Sequence, residues 1–241
     1  MFFSKKNKTS STTSITPNIN TVVVGQTDTK CLPNKKEAAE VVVSRMLEAQ
    51  GGIYKVYNNL YLWNEDNSKI YQIDHLAIGW KNIYVIETKD VTGCPYIGTL
   101  KEEYWGIGLF GDRSMFHIGN ERFGKYIKNP AIQNQKHVDF IKTICPYIPE
   151  DKLLNLVVFQ ADDKGYSLSY GSDKYEEGKK YPRTILTNEI FSLLNNDDKI
   201  GDPLPIETIN NLIDFFDNFL HPSKEIVEKH LERAKIAKAT V

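Results

Sequence analysis

The chain has 241 residues, 41% hydrophobic and 25% charged, proportions that fit an ordinary globular protein and exclude a fibrous repeat or wholesale disorder. Its 30 Lys and Arg residues nearly cancel 31 Asp and Glu, so affinity for a polyanion has to come from local clusters of positive charge. Such a length supports one domain with a substantial core plus appended tails, rather than two domains.

Residues 1 to 33 are rich in Ser, Thr, Asn and Lys, with one short apolar run at Thr21 to Val24, and read as a mobile tail or a loosely attached edge strand. The opening Met1-Phe2-Phe3-Ser4-Lys5-Lys6 leads into polar residues and lacks the apolar core of a secretory signal. No later run reaches the roughly 18 to 20 apolar residues of a membrane span. Cys31, Cys94 and Cys145 are odd in number and widely spaced, which fits a reducing compartment without a zinc site. The expectation is a cytoplasmic protein with no membrane partner.

Asn34-Lys35-Lys36-Glu37 has the form of a capping box and predicts a first helix running to about Gln50, stopped by Gly51-Gly52. Three strand-like segments follow, Tyr54 to Trp63, Ser68 to Gly79 and Ile83 to Val91, separated by short turns and forming an antiparallel meander. Residues 92 to 123 suggest a long irregular hairpin or flap. A helix over Ala131 to Ile144, an apolar strand over Leu153 to Phe159 and a charged loop to Pro182 come next. The chain then continues with a short helix near Asn188 to Leu194 and closes with two more, one over Pro205 to Leu220 and one after His221-Pro222. The fold class is mixed α/β. The expected organisation is a tail (1–33), a domain (34–200) and a C-terminal helical extension packed on it (201–241).

The second and third strands carry the chemistry. An even-numbered loop centred between Trp80 and Lys81 would set Asp74 opposite Glu87 and Gln72 opposite Lys89, all projecting from one face. Directly opposed residues have Cβ atoms about 4.5 to 5.5 Å apart, so the two carboxylates would repel unless a cation lay between them. The neighbours Ile73, Leu76, Ala77, Ile83, Tyr84, Val85 and Ile86 are apolar, which makes charge costly there. On pattern alone, an exposed hairpin end where Lys89 neutralises both acids is an equal alternative.

Gln72-Ile73-Asp74-His75 followed by Tyr84-Val85-Ile86-Glu87-Thr88-Lys89 resembles the core of the nuclease-related domain (NERD) family of the PD-(D/E)XK nuclease superfamily. The likeness extends over about residues 36 to 160. Glu40 to Leu47 resembles the family's first helix and Tyr57 to Leu62 its first strand, with Gly98, Trp105, Asn129-Pro130, Gln133-Asn134 and Val157 to Phe159 in family order. Lys35-Lys36 and Ala38-Ala39 stand where glycine is common in the family, and the flap is long.

The resemblance implies a restriction-endonuclease-like core and a nuclease that hydrolyses phosphodiester bonds in nucleic acid, DNA favoured over RNA. In that reading Asp74 and Glu87 bind Mg2+ or Mn2+, the Thr88 main-chain carbonyl completes the coordination, and Lys89 orients water or stabilises charge on phosphorus. Glu40 is the expected third acid, with a solvated first-turn glutamate as its alternative. Gln72 is expected to hold a carboxylate or Lys89, with an ordinary surface strand glutamine as its alternative. Gln133 and His137, four apart on one helix face, resemble the Gln-x-x-x-Tyr arrangement of some superfamily nucleases, although a plain polar helix surface suits His137 as well. His75 alternates away from Asp74 and reads as a packing or hydrogen-bonding residue of the opposite face.

Arg113, Arg122, Lys125 and Lys128, interleaved with Trp105, Phe110, Phe116 and Phe123, suggest a strand-gripping surface on the flap, or else the flap's own small core. The alternative function is a catalytically weak or inactive module that binds nucleic acid or protein on a nuclease fold. The last helix offers a surface for a protein partner or a second copy.

Overall fold

A computed structural model describes residues 23–26, 39–64, 68–89, 96–98, 102–107, 125–160, 169–170, 182–218 and 223–239. The expected capping box at Asn34 to Glu37 lies outside them. The architecture is mixed α/β, consistent with the restriction-endonuclease-like core.

Six strands form the main sheet in the order β1 (Val23–Gln26), β2 (Ile53–Trp63), β3 (Ile70–Gly79), β4 (Ile83–Lys89), β8 (Leu153–Phe159) and β10 (Arg183–Leu186). β1 to β4 pair antiparallel, whereas β4, β8 and β10 run parallel. β8 is central in the parallel half and buried at all seven positions, as its apolar sequence demands. A second sheet has the order β7 (Lys125–Lys128), β6 (Tyr104–Ile107), β5 (Tyr96–Gly98) and β9 (Ser169–Tyr170).

The apolar run near Thr21, read as part of a tail or as a loosely attached edge strand, contributes the edge strand β1. β9 lies within what reads as a charged loop and β10 directly after it, and neither is expected from sequence, because strands of two and four residues are too short to show a period. The segment read as an irregular flap contributes β5 and β6 to the second sheet.

The helices sort to the two faces of the main sheet. α1 (Ala39–Glu48) buries Ala39, Val43 and Leu47, four residues apart. Val43 and Leu47 join Leu193 and Leu194 of α3 (Ile190–Asp197) against Ala77, Tyr84 and Ile86. On the opposite face, Val138 and Ile141 of α2 (Pro130–Ile144) pack with Ile209, Leu212, Phe215 and Phe216 of α4 (Ile206–Asp217) on Leu76, Ile78, Ile83 and Val85. α5 (Lys224–Ala239) lies at the β2–β3 end, where Ile226 and Val227 meet Tyr61, Trp63 and Ile70. Among the described residues no helix is long and apolar enough to cross a membrane.

The β3–β4 turn fixes the register. The Gly79 amide donates to the Asn82 carbonyl at 2.9 Å, which leaves Trp80 and Lys81 as a two-residue loop. A Cβ on Gly79 would stand 3.0 Å from that carbonyl, so the turn closes only on glycine without displacement. The ladder then runs Ile78 to Ile83, Ala77 to Tyr84, Leu76 to Val85 and His75 to Ile86.

Both β2 and β3 change phase at one rung. Tyr57 and Leu60 share a core, as do Ile73 and Leu76, although residues three apart point to opposite faces in a regular strand. Asn59, with φ of 53°, supplies the twist in β2, a left-handed conformation that asparagine tolerates better than most side chains. In β3 the matching change falls at Asp74 and His75.

α2 is tied to the parallel strands by buried amides. Its cap, Asn129, accepts from the Ala131 and Ile132 amides, with Pro130 at the first helical position. The Asn134 side chain donates to the Val85 carbonyl at 2.7 Å, the Leu156 carbonyl at 3.2 Å and the Asn155 Oδ1 at 2.8 Å. Asn155 in turn donates to the Ala131 carbonyl at 2.9 Å. Asn134→Ala removes the shared donor from a fully buried position and is expected to cost about 2–3 kcal/mol in urea denaturation. A loss below about 0.5 kcal/mol, the range of an ordinary surface substitution, would show that α2 is held by apolar packing alone.

Candidate active site

The phase change at Asp74 coincides with the end of the β3–β4 ladder. Beyond His75 and Ile86 the strands cease to pair. The Asp74 Oδ2 accepts from the Thr88 main-chain amide at 2.7 Å, so the carboxylate lies across the end of β4. The register seen between Ile78 and His75, carried one rung further, puts Asp74 opposite Glu87.

Glu87 is held from three sides. β8 pairs with β4 through Glu87 to Val157, Thr88 to Val158 and Lys89 to Phe159, which continues the strand where β3 has left it. Gln133, one turn into α2, donates its amide to the Glu87 Oε1 at 2.9 Å, and the Lys89 ammonium donates to the same oxygen. His137, one turn further along α2, brings its Nδ1 to 3.9 Å from the Glu87 Oε2 and 3.3 Å from the Asn134 Oδ1.

These groups line one cleft of about 260 Å³, with Glu40, Gln72, Asp74, Glu87, Thr88, Lys89 and Gln133 all in its wall. Every residue singled out from the sequence for this site is therefore brought to one place. Glu40, exposed in the first turn of α1, adds negative charge toward Asp74. Gln72 departs from its expected role: its amide donates to the Asn59 Oδ1 at 2.7 Å, across to β2, instead of to a carboxylate or Lys89. The β3–β4 ladder ends before Gln72 could face Lys89.

The cleft also contains groups that were not assigned to it from sequence, namely Ile70, Tyr71 and His230 of α5, and it includes His137, whose place had been open. His75 is buried on the opposite face, where its Nδ1 meets the Asn58 Oδ1 at 2.7 Å. Trp105 is buried and stacks on Phe159 with ring centroids 6.0 Å apart, so it belongs to a core and not to a strand-gripping surface. Arg113, Phe110, Phe116, Arg122 and Phe123 lie outside the described residues.

Burial and like charge dominate the electrostatics. Burial raises the Asp74 carboxyl well above the usual carboxylate range and Glu87 pushes it further; the Thr88 amide and Lys89 oppose this while Glu40 adds to it. The Glu87 carboxyl is raised by burial and lowered by Lys89 and Gln133. His137 is driven down to about 4, mainly by burial and then by Lys89, and so stands neutral at physiological pH.

The donor set fits a hard divalent cation. Two carboxylates in a cleft supply oxygen ligands, and the charge repulsion between them is what a cation relieves. Among the described residues no three Asp, Glu, His or Cys side chains stand close enough to share one ion. Glu40, expected as the third acid, therefore lines the cleft beside the Asp74 and Glu87 pair and does not join them around one ion.

Because both folded-state pKa values lie above the ordinary 3.8 and 4.5, charging the pair weakens the fold. That cost is fully present above the folded pKa values and is relieved as pH falls through them. Asp74→Asn keeps the acceptor for Thr88 and removes the charge, so it is expected to raise the Tm at pH 7.5 by about 2–4 °C. The advantage should shrink as pH approaches 4. A gain that does not change with pH would mean the charge was not its cause.

Comparison with known proteins gives a nuclease-related domain match over residues 35–160. The chain is also similar to an uncharacterized protein of Bacillus anthracis, 33% identical over 109 residues that make up 45% of each chain. The match thus spans less than half the length of that relative. No solved structure matches the chain.

Proposed function

The chain belongs to the nuclease-related domain family, and from that premise we propose that its cleft is the active site of a metal-dependent nuclease acting on phosphodiester bonds of nucleic acid, DNA in preference to RNA. The observation that carries the reading is the pairing of Asp74 with Glu87, two carboxylates raised by burial, beside Lys89 in a single cleft. A structural ion pair needs one acid for one base. Here there is an excess of acid facing an open space, which is how catalytic sites depart from structural ones.

In this reading Asp74, Glu87 and the Thr88 main-chain carbonyl would hold Mg2+ or Mn2+, with Glu40 close by. The ion supplies a counter-charge for the phosphate and acidifies a bound water. Gln133 fixes the orientation of the Glu87 carboxylate through its amide bond. The Asp74 carboxylate is fixed by the Thr88 amide, so neither acid has to reorganise when substrate arrives. Lys89, with a side chain 22% exposed, presents its ammonium to the developing negative charge on the phosphoryl oxygens.

One observation favours a module that binds without cutting: Lys89 already neutralises Glu87. Incubating the full chain with labelled single-stranded, double-stranded and branched DNA and RNA, in Mg2+, Mn2+ or EDTA, separates the two readings. Cleavage that needs the metal is expected, and Asp74→Ala or Lys89→Ala should lower it by at least about 100-fold. Equal cleavage by the wild type and these variants would remove the catalytic assignment.

A further inference from the structure

The cleft wall holds two chemically different sets of groups. It combines the acids Glu40, Asp74 and Glu87 with the rings of Tyr71, His137 and His230, His137 standing 3.9 Å from Glu87. Tyr71 meets His137 edge-on with centroids 5.8 Å apart, and His230 meets Tyr61 edge-on at 5.6 Å. Rings packed in this way suit a nucleobase or a sugar better than a metal ion or a phosphate.

His230 comes from α5, which lies beyond the family match that ends at residue 160. Three contacts seat that helix on the β2–β3 end. Ile226 is buried with Tyr61 and Trp63, the Arg233 Nη1 donates to the Ser68 carbonyl at 3.1 Å, and the His230 ring donates to the Ile70 carbonyl. The last bond fixes the ring plane and assigns one nitrogen to the main chain. The other nitrogen is the hydrogen-bonding atom that the ring offers to a ligand.

We propose that α5 is the nucleotide-binding wall of the cleft and that His230 on it contacts the nucleoside next to the scissile phosphate. The inference rests on the nuclease reading and adds a second subsite to it: phosphate and metal beside the acids, a base beside the rings. His230 is a binding residue here and takes no part in the bond-breaking step. Because α5 stands outside the family-matched segment, it gives this chain a means of selecting substrate that the matched core does not itself supply.

The test is equilibrium binding of the full chain, in Ca2+, to a short fluorescein-labelled DNA strand and to an abasic strand of equal length. The wild type should prefer the base-bearing strand by about tenfold. His230→Ala should abolish that preference and leave binding of the abasic strand unchanged. His230→Gln retains a donor for the Ile70 carbonyl, which keeps α5 docked, and should lose the preference as well. Unchanged hydrogen exchange across Ile70 to Gln72 in the Gln variant would confirm docking. In cleavage assays the variants should raise KM and leave kcat nearly unchanged.

A wild-type preference retained by both variants would overturn the assignment of His230. A wild type that cuts DNA but does not distinguish the two strands would overturn the subsite beside the rings and leave the nuclease reading intact. A wild type that binds neither strand would overturn both.

Discussion

Two carboxylates that burial holds above their ordinary pKa range, Asp74 pushed further by the charge of Glu87, are the feature around which the rest of this structure is arranged. An apolar sheet gains nothing from Asp74 and Glu87. Their cost is tolerable because each has a fixed partner, the Thr88 amide for one and Gln133 with Lys89 for the other. The partners offset part of the charge, and the remainder faces a cleft. Stability is thus lowered at the place where chemistry is expected, as in many sites that trade stability for function.

The fold supplies this arrangement through a change of strand partner. β3 and β4 pair tightly from a two-residue turn as far as His75 and Ile86, then separate, and β8 takes over support of β4. Asn59 and Asp74 occupy the rung where the pleat changes phase, which frees the Asp74 side chain to reach over β4. α2 is fixed by Asn134 and Asn155 to the strands beneath it, and this brings Gln133 and His137 to bear on Glu87. Each side chain at the site thereby sits on a strand or helix whose position is set by buried contacts.

Much of this was legible in the sequence because it depends on short-range rules. The Trp80-Lys81 loop fixes the parity of the hairpin, and parity decides which residues can face Glu87. Gln133 was readable from helical spacing after the Asn129-Pro130 start. Gln72 reaches the cleft but bonds to Asn59 instead of a carboxylate or Lys89, because the regular ladder that would set it opposite Lys89 ends at His75 and Ile86; no local signal marks that end except Asn59 on a different strand. β10 and β9 were missed because they are held by parallel pairing to distant strands, which leaves no pattern in four or two residues. His230 was invisible as a site residue for a similar reason. Its helix shows only a weak apolar stripe, and nothing in its own sequence states that it docks 160 residues away beside Ile70. Trp105 reads as exposed or buried with equal ease until Phe159 is seen stacked against it.

In the proposed function, the excess negative charge of Asp74 and Glu87 is the seat of a divalent cation. Anomalous diffraction from crystals soaked in Mn2+ addresses it without relying on turnover. A single strong peak is expected in the cleft, within coordination distance of both carboxylates, with the Lys89 ammonium moved away from Glu87. Absence of a peak in the cleft at saturating Mn2+, with Lys89 still bound to Glu87, would contradict it and leave the acids as a buried ion-pair network.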